Sequence, residues 1–347
     1  LGLALYSLGA LLFYPAAKFE AFGYFLMSLY ILTFGLAFLE TTASPYIMSM
    51  GEDKTATRRL NLAQAFNPFG SLLGMFVASN FILSKLKSDQ RDISGELIFN
   101  SLENVEKAII RTHDLSIISM PYIILGFFVA VMLILITITK MPHKISESHL
   151  SDELEAFKRL FRNANYREGV IAQMFYVGAQ IMCWTFIIQY ADKLGIPKAQ
   201  AQNYNILAMS IFLTSRFLCT YLMKFISSKK LLTLFAVGGI ISIFGVIFIH
   251  DIRGLYFLIA TSAFMSLMFP TIYGLALHGL GSDTSLGAAG LVMAIVGGAL
   301  MPPLQGWIVD FEAVGNYKAV NISFVLPLIC FCVIAAYGYR TLKVHKN

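Results

Sequence analysis

GLAFLETTASPYIMSMGEDKTATRRLNLAQAFNPFGS, residues 35–71, decides how this chain is read. From Leu36 an apolar helix carries one carboxylate, Glu40, in its middle. A charged turn, Gly51 to Arg59, follows, and a second apolar helix then carries Asn61, Gln64, Asn67 and Ser71. At about 100° per residue those four fall within about a third of the second helix's circumference. A lone acid and a stripe of amides are costly to keep inside hydrocarbon. Such groups normally line a cavity and handle a proton or a polar substrate.

The rest of the chain agrees with a membrane setting. Of 347 residues, 57% are hydrophobic and only 13% are charged, with a mean hydropathy of +0.69. A soluble domain carries about 25% charge. The reading is an all-α integral membrane protein. Ten segments are long enough to span at ~20 residues each: 1–17, 21–49, 58–84, 116–140, 167–191, 201–225, 230–249, 255–278, 285–309 and 320–341. Residues 85–113 read as a polar loop, and 141–166 as a charged linker with some helical character. Cys183, Cys219, Cys330 and Cys332 sit in apolar segments without metal-ligand or framework spacing, so they read as small buried hydrophobes. The net charge of +6 implies no nucleic acid partner, because Lys and Arg collect in the cytoplasmic loops of membrane proteins.

With the first segment starting inside, 15 Lys and Arg fall on the inner side and 10 on the outer. Half of the outer set lies in or beside the 85–113 loop. This places the linker and the C-terminus in the cytoplasm. Four spans precede the linker and six follow it, whereas transporters are commonly built from two similar halves. The expected organisation is therefore a truncated first half at 1–140, a linker at 141–166 and a six-helix half at 167–347. Two further spans would precede Leu1; a genuine ten-helix protein is the alternative. A loose repeat supports two halves: Glu40 and Pro45 followed by a polar turn, and Ser266 and Pro270 followed by GLGSDTS.

FLETTASPYI followed by RLNLAQAFNPFGSLLG resembles the signature of the L-fucose/proton symporter family of the major facilitator superfamily. The resemblance continues in AQMFYVGAQIMCWTFIIQYA (172–191), SAFMSLMFPTIYGLALHGLG (262–281) and DTSLGAAGLVMAIVGGALMPPLQGWIVD (283–310), and so covers essentially the whole chain. It implies a twelve-helix fold of which this chain holds ten, starting at the third. It implies that Glu40 is the family's protonatable carboxylate in the fourth span and Asn67 a substrate-site amide in the fifth. A second family carboxylate lies in the first span. Ser44 and Pro68 depart from the family pattern, where the fucose transporter has Asn and Ser. The family also includes glucose/galactose and N-acetylglucosamine transporters, so the sugar stays open.

The residue chemistry points the same way. A pyranose presents hydroxyls that donate and accept, and amides do both. Asn61, Gln64 and Asn67 form one candidate wall. Gln173, Tyr176, Gln180 and Trp184 share a face of the segment at 167–191 and could form the other, with Gln173 and Tyr176 nearer the cytoplasmic end. Glu40 would bind the coupling proton outside and release it inside. Blander readings stand beside these. Glu40 could be paired with a base such as Arg216, and the amides could simply bond across helices. Arg216 could be a gate, a helix-pairing residue or a chain snorkelling to the inner interface. Pro45, Pro270, Pro302 and Pro303 read as kinks.

No metal pair, nucleophile motif or phosphate loop marks an enzyme. Proton-coupled monosaccharide uptake is the expectation, with no cofactor besides the proton and with membrane lipid as surroundings. The resemblance implies a monomer in a bacterial inner membrane. An exporter of small amphipathic compounds on the same fold, or a non-transporting sugar sensor, are the alternatives.

Overall fold

The computed structural model describes residues 1–77, 81–82, 85–88, 98–139, 153–196, 198–311, 313–314 and 317–343. The described residues are almost wholly helical, as a chain in lipid must be when each backbone polar group has to find an internal partner. In chain order the helices are α1 (Gly2–Leu11), α2 (Phe13–Phe19), α3 (Phe22–Ser49), α4 (Ala56–Gln64), α5 (Phe66–Val77), α6 (Ile98–Ser101), α7 (Asn104–Ile138), α8 (Glu153–Arg162) and α9 (Ala164–Lys193). They continue with α10 (Lys198–Leu222), α11 (Ser228–Phe248), α12 (Ile252–Met265), α13 (Met268–Leu277), α14 (Thr284–Met293), α15 (Gly297–Val309), α16 (Ala319–Ile322) and α17 (Val325–Lys343). Ala313–Val314 and Tyr317–Lys318 pair as a short antiparallel ladder.

Among the described residues nine segments are long and apolar enough to cross a membrane. The tenth expected span, 58–84, is represented by α4 and α5; residues 78–80 and 83–84 lie outside the described residues. So do 140–152, which hold the last residue of the span at 116–140 and the first part of the expected linker; the linker's described remainder forms α8 and the first residues of α9. The expected loop at 85–113 is corrected in its second part. Helix α7 begins at Asn104, twelve residues before the expected span. Its leading turns carry Glu106, Lys107 and Arg111, so hydropathy alone finds only the apolar portion.

Two compact units divide the chain: Leu1–Ala43 with Leu73–Ile145, and Ser44–Leu72 with Ser146–Asn347. In the first, helices meet through glycine. A Cβ at Gly9 would stand 2.4 Å from the Leu32 amide nitrogen, and one at Gly35 2.4 Å from that of Tyr6. Close backbone approach is how spanning helices gain dispersion contact where lipid offers no hydrophobic drive. Phe13 stacks on Tyr122 with ring centroids 3.9 Å apart. The Ser7 hydroxyl donates to the Gly126 carbonyl at 2.9 Å.

In the second unit α9 is the central post, packed against α10, α13, α15 and α17. Fully buried Tyr176, Met182, Ile187 and Phe331 sit in its core. Small residues again set the spacing, since a Cβ at Gly297 would collide with the Met174 carbonyl oxygen at 2.0 Å. Arg159 of α8 forks onto the Asp283 carboxylate ahead of α14, at 2.9 and 2.8 Å. Arg340 of α17 pairs with Glu168 of α9 at 2.6 Å. Helix α3 runs through Pro45 and α15 through Pro302 and Pro303. Ahead of Pro270, which lies in the first turn of α13, the helix is interrupted between Met265 and Met268.

Candidate functional site

Two prolines create the demand that organises the second unit's interior. A proline lacks an N–H, so the carbonyl four residues before it loses its helical donor. Pro68 in α5 leaves Gln64 in that position, and Pro270 in α13 leaves Ser266. Arg216, one residue of a third helix, supplies both. Its Nη1 donates to the Gln64 carbonyl at 2.8 Å and its Nε to the Ser266 carbonyl at 2.6 Å. Its guanidinium carbon lies 4.7 Å from the centre of the Phe212 ring, one turn earlier on α10. Arg216 is 4% exposed, so it does not snorkel to an interface. The fork geometry of guanidinium suits two acceptors on different helices in a way that an ammonium does not.

The arrangement continues along the aromatic rings. Phe212 meets Trp184 edge-on at 5.0 Å. The Trp184 indole nitrogen donates to the Ser262 hydroxyl at 3.2 Å. Gln180, one turn before Trp184, is half-buried, as is the Gln64 side chain. Gln64, Arg216 and Trp184 are thus brought into one neighbourhood, with Gln180 beside them on the face of α9.

Other expected residues stand differently. Asn61 is fully buried; its Nδ2 donates to the Thr57 carbonyl at 2.9 Å and to the Thr271 hydroxyl at 3.2 Å, so it fastens α4 to α13. Asn67 is exposed, and its carbonyl accepts the Ser71 hydroxyl at 3.3 Å. Tyr176 is fully buried and spends its hydroxyl on the Met265 carbonyl at 3.1 Å. Gln173 is fully buried, and neither of its amide atoms has a hydrogen-bond partner among the described residues.

Glu40 lies in the first unit, two-thirds of the way along α3 and half-buried. Within that unit it makes no ion pair among the described residues. The neighbouring Thr41 and Thr42 hydroxyls donate back to the carbonyls of Ala37 and Phe38, leaving Glu40 the ionisable group of its stretch. No set of three His, Cys, Asp or Glu that could hold a metal occurs among the described residues.

Sequence reading missed Phe212, Ser262 and Thr271 as supports of the site. Phe212 had a signal, at four residues before Arg216 on the same helix face. Ser262 and Thr271 had none, since each matters through a partner on another helix.

Apolar spans that carry a half-buried lone acid in one unit, and an amide–aromatic row with a buried guanidinium in the other, have the build of a multi-pass membrane transporter. Residues 1–295 match the model of the Major Facilitator Superfamily, and the chain belongs to that superfamily. It is 62% identical over 347 residues to the L-fucose-proton symporter of Haemophilus influenzae, covering 100% of this chain and 81% of that protein. It is 31% identical over 341 residues to a glucose/galactose transporter of Brucella abortus, covering 97% and 76% respectively. The crystal structure of the superfamily transporter FucP in the outward conformation superposes with a TM-score of 0.89 at 32% identity, covering 98% of this chain and 81% of that one.

Proposed function

We propose that this protein is a secondary active transporter that carries a monosaccharide inward together with a proton. L-fucose is the first candidate, with glucose and galactose next, following the names of the relatives. The observation that carries the reading is Glu40: a half-buried carboxylate in mid-span that joins no ion pair within its own unit among the described residues. A buried charge without a partner is costly, and reversible protonation makes such a position useful. Proton binding from outside would neutralise Glu40 and favour sugar binding. Release inside would complete the cycle.

In this reading the sugar's hydroxyls meet Gln64, Asn67 and Gln180, and its apolar face meets Trp184. Asn61 lines the path at the cytoplasmic end. Arg216 serves as the gate: its two carbonyl bonds tie α4 to the α12–α13 break, and the path opens toward the cytoplasm when they part. Alternating access then operates between halves 1–140 and 167–347 joined by the linker 141–166. We place the linker side in the cytoplasm of a bacterial inner membrane, take the working form as a monomer, and assign no cofactor besides the coupling proton.

Uptake of L-fucose, glucose, galactose and N-acetylglucosamine into proteoliposomes, each with and without an inward proton gradient, tests the proposal. Gradient-stimulated accumulation of one sugar is the expected result. A folded protein that moves none of the four sinks it.

A further inference from the structure

Three residues of α9 stand in one row. At about 100° per residue, Gln173, Gln180 and Trp184 fall within about 40° of one another on the helix wheel. Gln180 and Trp184 are half-buried, and Trp184 meets the Phe212 ring on which Arg216 lies. Gln173 lies about 10 Å further along the axis, at ~1.5 Å per residue, toward the end that carries the linker. It is 0% exposed, and both its Oε1 and Nε2 lack a hydrogen-bond partner among the described residues.

The register against the facing helix fixes its level. A Cβ at Gly169 would meet Ala276, the Tyr176 ring meets Phe269, and Trp184 bonds Ser262. Gln173 therefore stands level with Ile272 and Tyr273. One turn nearer the end, Val170 packs into a cluster with Leu60, Tyr273, Leu277 and Leu291. That cluster stands at the linker end of the row, and Asn61 of α4 bonds Thr271 of α13 beside it.

A buried amide that bonds nothing carries the full desolvation penalty of its polar atoms, and each such group in a native structure calls for a reason. An apolar side chain of the same volume would fit this buried position at lower cost. We infer that Gln173 is a release-side subsite for a sugar hydroxyl: buried and unpartnered while the cluster at Val170 is closed, and reached by the sugar after Gln180 and Trp184 once that end opens. The inference rests on the monosaccharide-transport reading. It adds a step to the path rather than a wall to the central site.

The test is zero-trans transport of L-fucose, glucose and galactose in sidedness-controlled proteoliposomes, comparing wild type with Gln173→Leu and Gln173→Asn. Gln173→Leu is expected to raise the KM measured from the linker side about tenfold and to leave the KM from the opposite side within twofold. Gln173→Asn, which keeps the amide on a shorter arm, is expected to fall between. The thermal midpoint of Gln173→Leu is expected to rise by a few degrees, since it replaces a buried, unpartnered amide with an apolar chain of similar size. Equal KM changes on both sides, no change on either, or a lowered thermal midpoint overturns the subsite while wild-type transport still supports the symporter. A wild type that moves none of the three sugars overturns the sugar reading and the subsite together.

Discussion

At the scale of single residues, Arg216 shows how a costly group becomes worth keeping. Its charge is buried, but its donors meet two carbonyls that Pro68 and Pro270 have deprived of helical partners. Hydrogen bonds to a charged group contribute about 1.5–3 kcal/mol each. Arg216→Lys keeps the charge but loses the fork, and is expected to lower the thermal midpoint of the detergent-solubilised protein by several degrees. Restoring a backbone donor should weaken the dependence. In a Pro68→Ala, Pro270→Ala background the loss caused by Arg216→Lys is expected to shrink, with a coupling of about 1–2 kcal/mol in a double-mutant cycle. Strict additivity of the thermal shifts would refute the account. Part of this was readable in advance: a proline names its orphaned carbonyl four residues earlier, so Gln64 and Ser266 could be found by counting. That Arg216 answers both could not, because the partner comes from a third helix whose approach only packing decides. Asn61 bonds across helices, one of the two readings open to it in the sequence, but that Thr271 is its partner could not be found by counting.

Among whole elements, legibility follows hydropathy and stops where hydropathy stops. The spans at 21–49 and 167–191 match α3 and α9 closely because long apolar runs declare their own ends. Helix α7 was misread at its start, since the turns from Asn104 are helical but polar and resemble a loop when judged by transfer energy alone. Glycines in spanning helices allow close packing, but which ones are indispensable depends on the neighbour. Gly9 and Gly35 face backbone of the opposing helix, which has little freedom to retreat. Gly23 and Gly70 face nothing within 4 Å. Gly9→Val and Gly35→Val are therefore each expected to destabilise by about 1–3 kcal/mol, the usual range for overpacking. Gly23→Ala should be nearly neutral or slightly stabilising, because alanine favours the helix by about 1 kcal/mol over glycine. Fluorescence-detected size exclusion after stepwise heating would rank the three. A Gly9→Val protein as heat-stable as wild type would mean that α1 and α3 can separate at no cost.

For the molecule as a whole, the groups proposed to carry transport are divided between the two compact units. Glu40 belongs to the first, while Gln64, Asn67, Gln180, Trp184 and Arg216 belong to the second. On the proposed reading, a proton bound at Glu40 drives a sugar held by the other set only through a cycle that both units complete together. That makes coupling separable from sugar handling. Glu40→Gln imitates the protonated carboxyl in shape and hydrogen bonding but can neither release nor take up the proton. Such a variant is expected to keep sugar exchange between the two sides of a membrane, because exchange needs only the protonated form to shuttle. Net accumulation against a sugar gradient requires the empty carrier to return deprotonated, and it should fall at least tenfold. Two measurements on the same proteoliposomes decide this: counterflow of labelled L-fucose at equal pH, and uptake driven by an inward proton gradient. Counterflow retained with gradient-driven accumulation lost assigns the coupling to Glu40. Accumulation that still follows the proton gradient in Glu40→Gln moves the coupling site elsewhere. Loss of both would make Glu40 a binding residue for the sugar itself.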